Sequence, residues 1–99
     1  MFPGFVTRLS EELISLTATI VPKKDIQRVT STATTTVLVT VTPPFPNMGG
    51  ILFLLNNSGN AITATTAGNI ATTCSIPNNC VAVMVYSPSA AKWYFDKTL

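Results

Sequence analysis

From Thr35 to Thr42 the chain reads Thr-Thr-Val-Leu-Val-Thr-Val-Thr. In an extended chain this puts Val37, Val39 and Val41 on one face and Thr36, Leu38, Thr40 and Thr42 on the other. Valine and threonine are stiff at χ1 and suit a pleated, half-buried surface. Runs of the same kind return about every ten residues, a spacing typical of all-β folds. They cover Gly50–Leu55, Ala61–Thr66, Ile70–Ile76, Cys80–Tyr86 and Lys92–Phe95. Between them lie Pro43-Pro44-Phe45-Pro46-Asn47, Asn56-Asn57-Ser58-Gly59-Asn60, Ala67-Gly68-Asn69, Pro77-Asn78-Asn79 and Ser87-Pro88-Ser89. Proline lacks the ladder donor, and Gly, Asn and Ser supply turn conformations. The pattern predicts a mainly β fold: a small antiparallel β-sandwich or barrel.

Two of these runs lack a polar face. Gly50–Leu55 (Gly-Ile-Leu-Phe-Leu-Leu) and Cys80–Tyr86 are apolar on both sides, as expected of strands covered on both faces. Ninety-nine residues make one domain, which buries only roughly 60–65% of the surface its unfolded chain exposes. Either a closed two-layer body covers both strands, or their outer faces meet sister subunits, as in a homotrimer or another symmetric oligomer.

The first residues carry a different period. Phe5, Leu9, Leu13 and Leu16 recur at i, i+4, i+8 and i+11, one face of a helix. Pro22 ends any continuation. A helix this short is marginal alone, so its apolar stripe is expected to serve as an assembly arm. The division predicted is a helical arm and connector over residues 1–24 and a β domain over 25–99.

Six Lys or Arg stand against four Asp or Glu. All lie in residues 8–28 or 92–97, and none lies between Val29 and Ala91. Charged residues normally keep a soluble surface monomeric. A long neutral body therefore points to surface covered by other chains, or kept wet by Thr, Ser and Asn hydroxyls and amides. Lys23, Lys24 and Arg28 are diluted by Asp25 and lack interleaved aromatics, so nucleic acid is not an expected partner. The longest apolar run, Met48–Leu55, falls far short of the roughly 20 residues of a membrane span. No basic, apolar leader precedes the body, and synthesis in a cytoplasm is expected.

The chain has no histidine, which removes the commonest general base and metal ligand. The Ser and Thr hydroxyls have no base motif beside them, and no phosphate loop precedes a helix. No enzymatic activity, metal or cofactor is expected. Cys74 and Cys80 flank Pro77-Asn78-Asn79. A tight hairpin there brings them into disulfide range, while a reducing compartment would leave two thiols packed as small hydrophobes. Asn56-Asn57-Ser58 matches a glycosylation acceptor but reads as a polar turn. Trp93, Tyr94 and Phe95 form an aromatic end. They either close a β core or present surface aromatics, Trp93 and Tyr94, to a sugar or partner.

Thr42-Pro43-Pro44-Phe45, Gly49-Gly50-Ile51, Thr65-Thr66-Ala67-Gly68-Asn69-Ile70-Ala71, Val85-Tyr86 and Lys92-Trp93-Tyr94 resemble a small β module of tailed-bacteriophage structural proteins. The resemblance spans roughly residues 26–95. It implies a virion component in symmetric copies, such as a capsid decoration, head-fibre or tail-fibre protein, and it implies no catalytic residues. The expectation is a virion structural protein that decorates or stabilises the capsid, with itself and a major capsid or other virion protein as partners. The alternatives are a tail-fibre or receptor-binding tip and a host-directed soluble binding domain.

Overall fold

The computed structural model describes residues 9–97, which form ten β-strands and no helix. They are β1 (Glu11–Ser15), β2 (Thr19–Ile20), β3 (Ile26–Ser31), β4 (Val37–Leu38), β5 (Thr40–Val41), β6 (Gly50–Asn56), β7 (Ile62–Ala64), β8 (Cys74–Ile76), β9 (Val81–Ser87) and β10 (Lys92–Lys97). One layer is a five-stranded sheet in the order β1-β3-β6-β9-β10. The other is made of two smaller sheets, β2-β5 and β4-β7-β8. The sandwich-like, mainly β character expected from the sequence is present.

The expected antiparallel arrangement holds for only part of the molecule. β1, β3 and β6 run parallel, as do β2 with β5 and β4 with β7. The reason lies in the connections. The chain crosses between layers after β1, β3 and β6, so successive strands of one layer enter it in the same direction. This winding, one strand per layer per coil, replaces the hairpin meander that regular turn spacing suggests. Antiparallel pairing enters only at the end, where β8 closes on β7, and β9 pairs with β6 and β10.

The helix expected from Phe5, Leu9, Leu13 and Leu16 is a second correction. Phe5 lies outside the described residues. Of the others, Leu9 is 39% and Leu13 63% exposed, while Leu16 is fully buried, so they share no face. Residues 11–15 alternate instead: Glu12 and Ile14 turn toward the interior, Glu11, Leu13 and Ser15 away from it. Pairing with β3 supplies every other peptide of β1 with hydrogen bonds, bracketed by Ile26 N–H to the Ser10 carbonyl and Leu16 N–H to the Ser31 carbonyl. An isolated short helix could not bury Leu16 as well. Residues 9–24 thus belong to the two layers, not to a separate arm.

The Thr35–Thr42 run splits into β4 and β5 around Val39. The amides of Val39 and Thr40 both donate to the Ala18 carbonyl, at 2.8 and 3.0 Å. Two residues facing one is a β-bulge. It resets the alternation, so that Leu38 and Val41 both become fully buried although strict alternation sets them on opposite faces.

The core gathers the inner face of the large sheet (Val29, Leu52, Leu54, Ala82, Met84, Tyr86 and Trp93) against Leu38, Val41, Ile62, Ala64 and Ile76 of the second layer. Leu16, Ile20 and Ile70 fill its margins. Two polar side chains are buried with them, Gln27 and Asn56, and both are satisfied. The Asn56 amide donates to the carbonyls of Asn60 and Ile76, and its oxygen accepts from the Ser58 amide and hydroxyl. The glycosylation-like triplet therefore holds the end of the sandwich together, with its asparagine sealed inside.

Candidate functional site

Two neighbouring surfaces stand out: the outer face of the five-stranded sheet and a cavity at its β6–β9–β10 end. Strand registers order the outer face into rows. One runs Ile51, Val85, Tyr94; the next Glu11, Ile26, Phe53, Val83, Asp96; the third Leu13, Arg28, Leu55, Val81. On β6 and β9 these rows are wholly apolar; the charges are Glu11 and Asp96 on the edge strands and Arg28 on β3. Ile51, Tyr94 and Val85 are 57%, 47% and 44% exposed, while Phe53, Leu55, Val81 and Val83 are half-buried by their neighbours. A solvated sheet face normally alternates polar residues outward. β6 and β9, read as covered on both faces, are covered by the described residues on one.

The cavity, about 410 Å³, lies between the turn at 22–25 and the loop at 43–50. Leu52, Tyr86 and Trp93 form its floor, and Phe45, Met48 and Ile51 its apolar wall. Lys23, Lys24 and Asp25 of the turn also line it. Phe45 and Met48 are 69% and 63% exposed, and Ile51 belongs both to the cavity and to the outer row.

The floor is rigid for identifiable reasons. The Trp93 ring is buried, its indole N–H donates to the Val41 carbonyl at 2.9 Å, and the Tyr86 ring leans against it with centroids 5.1 Å apart. Asn69 pairs through its side chain with both backbone groups of Val41 and through its carbonyl with the Trp93 amide. The Trp93 carbonyl accepts from Ala71, so a bridge at Ile70 joins β10 to the second layer. Gly68 makes this approach possible. A Cβ there would run into the Val39 carbonyl and the Thr40 hydroxyl.

The charged rim is equally held. One carboxylate oxygen of Glu12 accepts from the amides of Lys23 (2.8 Å) and Lys24 (3.2 Å) and from the Gln27 side chain (2.7 Å). Gln27 also donates to the Lys24 carbonyl. The Gln27 hydrogen bond, then the Lys23 amide, hold the Glu12 carboxyl below its ordinary 4.5 against a small opposing effect of burial. Glu12 thus fixes the backbone of the turn, and the Lys23 charge also helps to hold its carboxyl low.

The sequence candidates separate accordingly. Tyr94 is a surface aromatic, whereas Trp93 is not: the β9–β10 register sends it inward opposite Tyr86. No disulfide joins Cys74 and Cys80 in this structure. β8 pairs with β7 in the second layer while β9 pairs with β6, so the two do not face each other across a hairpin; both pack half-buried against the core. Glu12, Gln27 and Asn69 were not foreseen, and no local pattern marks them. Only the Pro-rich loop Pro43–Asn47 signalled an irregular element where the cavity forms. Among the described residues no three His, Cys, Asp or Glu side chains come together. Comparisons with family models, curated proteins and solved structures find no significant match.

Proposed function

We propose that this chain is a virion structural protein of tailed-bacteriophage type, which decorates or stabilises the capsid in symmetric copies. The observation that carries the reading is the outer face of the five-stranded sheet. A broad apolar face, whose charges are Glu11 and Asp96 on its edge strands and Arg28 on β3, costs solubility in a monomer and is stabilising once covered. The motif resemblance over residues 26–95 and the neutral stretch from Val29 to Ala91 support the same reading. Light scattering of the purified protein, together with its stoichiometry in purified particles, tests it. A symmetric oligomer that joins capsids is expected, and a stable monomer that never does so overturns it.

A second reading, a tail-fibre or receptor-binding tip, is favoured by the exposed Tyr94 ring beside Val85 and Ile51. With Trp93 in the core, the informative substitution is Tyr94→Ala. Loss of adsorption with intact particles supports the tip; unchanged adsorption removes it.

A further inference from the structure

We propose that residues 2–6 of this chain seat on the chain's own cavity, with the Phe5 ring against Phe45, Met48 and Ile51. The occupant is the segment that leads into β1, and the docking is within one chain. The inference is separate from assembly through the outer sheet face.

Its first ground is where the chain enters the large sheet. β1, β3 and β6 run parallel, so all three receive the chain at the same end. The turn at 22–25 leads into β3 and the loop at 43–50 into β6, and the cavity of about 410 Å³ lies between these two. The residues before Ser10 lead into β1 beside them. The Ser10 carbonyl accepts from the Ile26 amide at 2.9 Å, and Glu11 is level with Ile26 and, through it, with Phe53. Leu9 therefore stands at the level of Ile51, with only β3 between β1 and β6. Strands lie about 4.8 Å apart and an extended residue spans about 3.3 Å. The cavity wall at Ile51 is thus about 10 Å from Leu9, and the four residues back to Phe5 span about 13 Å.

The second ground is composition. Met1-Phe2-Pro3-Gly4-Phe5-Val6-Thr7-Arg8 holds four large apolar side chains (Met1, Phe2, Phe5 and Val6) and one charge. The cavity offers the matching surface. Phe45, Met48 and Ile51 are each more than half exposed, and methionine adapts to varied apolar shapes. Charge selects no occupant, because Lys23 and Lys24 are offset by Asp25 and by Glu12, on which the Lys23 charge acts. Apolar burial is what remains, and one phenylalanine ring supplies it. The third ground is the tether. A linker of a few residues holds its end at an effective concentration in the mM range, so a contact too weak for a free peptide is filled by the attached segment.

Met48 reports the contact in the full chain, since it lines the cavity, while Met84 lies in the core and serves as the control for folding. In protein carrying carbon-13 at its methionine methyl groups, the Met48 methyl is expected to show nuclear Overhauser contacts to the Phe5 ring. This is read in the parent chain and so depends on no variant. Phe5→Ala is expected to abolish those contacts, to leave the Met84 signal in place, and to speed tryptic cleavage after Arg8 about tenfold, the effect of one lost apolar anchor. No contact between Phe5 and Met48, or cleavage after Arg8 that Phe5→Ala does not change, overturns the proposal. Contacts from Phe5 to Tyr94 instead place the segment on the outer sheet face and overturn the cavity as its seat. Contacts that appear only between differently labelled copies in a mixed sample assign the segment to a second copy, with the same consequence.

Discussion

Single side chains decide how the two layers meet. Gly68 sits where its backbone passes against Val39 and Thr40, and overpacking of such a site costs about 1–3 kcal/mol. Gly68→Ala is therefore expected to lower stability by that amount in denaturant unfolding and to blue- or red-shift Trp93 emission through the shared 69–71 segment. Asn56 is buried and donates to the Ile76 carbonyl inside the core and to the Asn60 carbonyl at its edge. Asn56→Ala leaves the buried Ile76 carbonyl without this partner and is expected to cost about 1–3 kcal/mol by the same measurement. Neither position looks special in sequence: one is a glycine in a loop, the other half of an Asn pair. Burial is what separates Asn56 from Asn57, which stays exposed and donates to Asn79.

At the level of elements, hairpins and edges carry the testable chemistry. Ala91, in the β9–β10 turn, has φ 55°, a left-handed conformation costing an L-residue roughly 1–2 kcal/mol. Glycine removes that cost but adds about 0.4–1 kcal/mol of unfolded-state entropy. The first effect is larger, so Ala91→Gly is expected to raise the melting temperature slightly. The edge strand β1 is tied to the 22–25 turn through Glu12. Its carboxyl is held below 4.5 in the folded state, so its contribution is complete above pH 4.5 and fades as the pH falls through the lower folded value. Glu12→Gln is expected to lower stability at pH 7 and to narrow its gap from the parent chain below pH 4.5, read as paired denaturation curves across pH.

For the whole molecule, the question is what covers the large sheet. Val85 and Tyr94 stand side by side in one exposed row. Val85→Asp/Tyr94→Asp leaves the core untouched and puts two charges into the apolar face. If that face joins copies, the double variant is expected to sediment as a monomer with an unchanged far-ultraviolet spectrum. Unchanged mass would mean that the copies meet elsewhere.

Strand positions were legible from alternation and turn chemistry: β6, β7, β9 and β10 lie within or nearly on the expected runs, because apolar period and Pro, Gly or Asn stops act locally. The double apolarity of β6 and β9 was likewise local, and it marked the face that now carries the functional reading. What only the tertiary structure decided is non-local. Leu9, Leu13 and Leu16 fit a helix by spacing, yet β3 offered residues 11–15 a partner and Leu16 a place in the core. The Ile70–Ile76 run kept only β8 and a single bridge, because Asn69 and Ala71 were claimed by Trp93. Parallel winding came from layer crossings that no turn residue encodes. The cavity likewise arose from two irregular segments, 22–25 and 43–50, whose meeting depends on Glu12 in one strand and Trp93 in another.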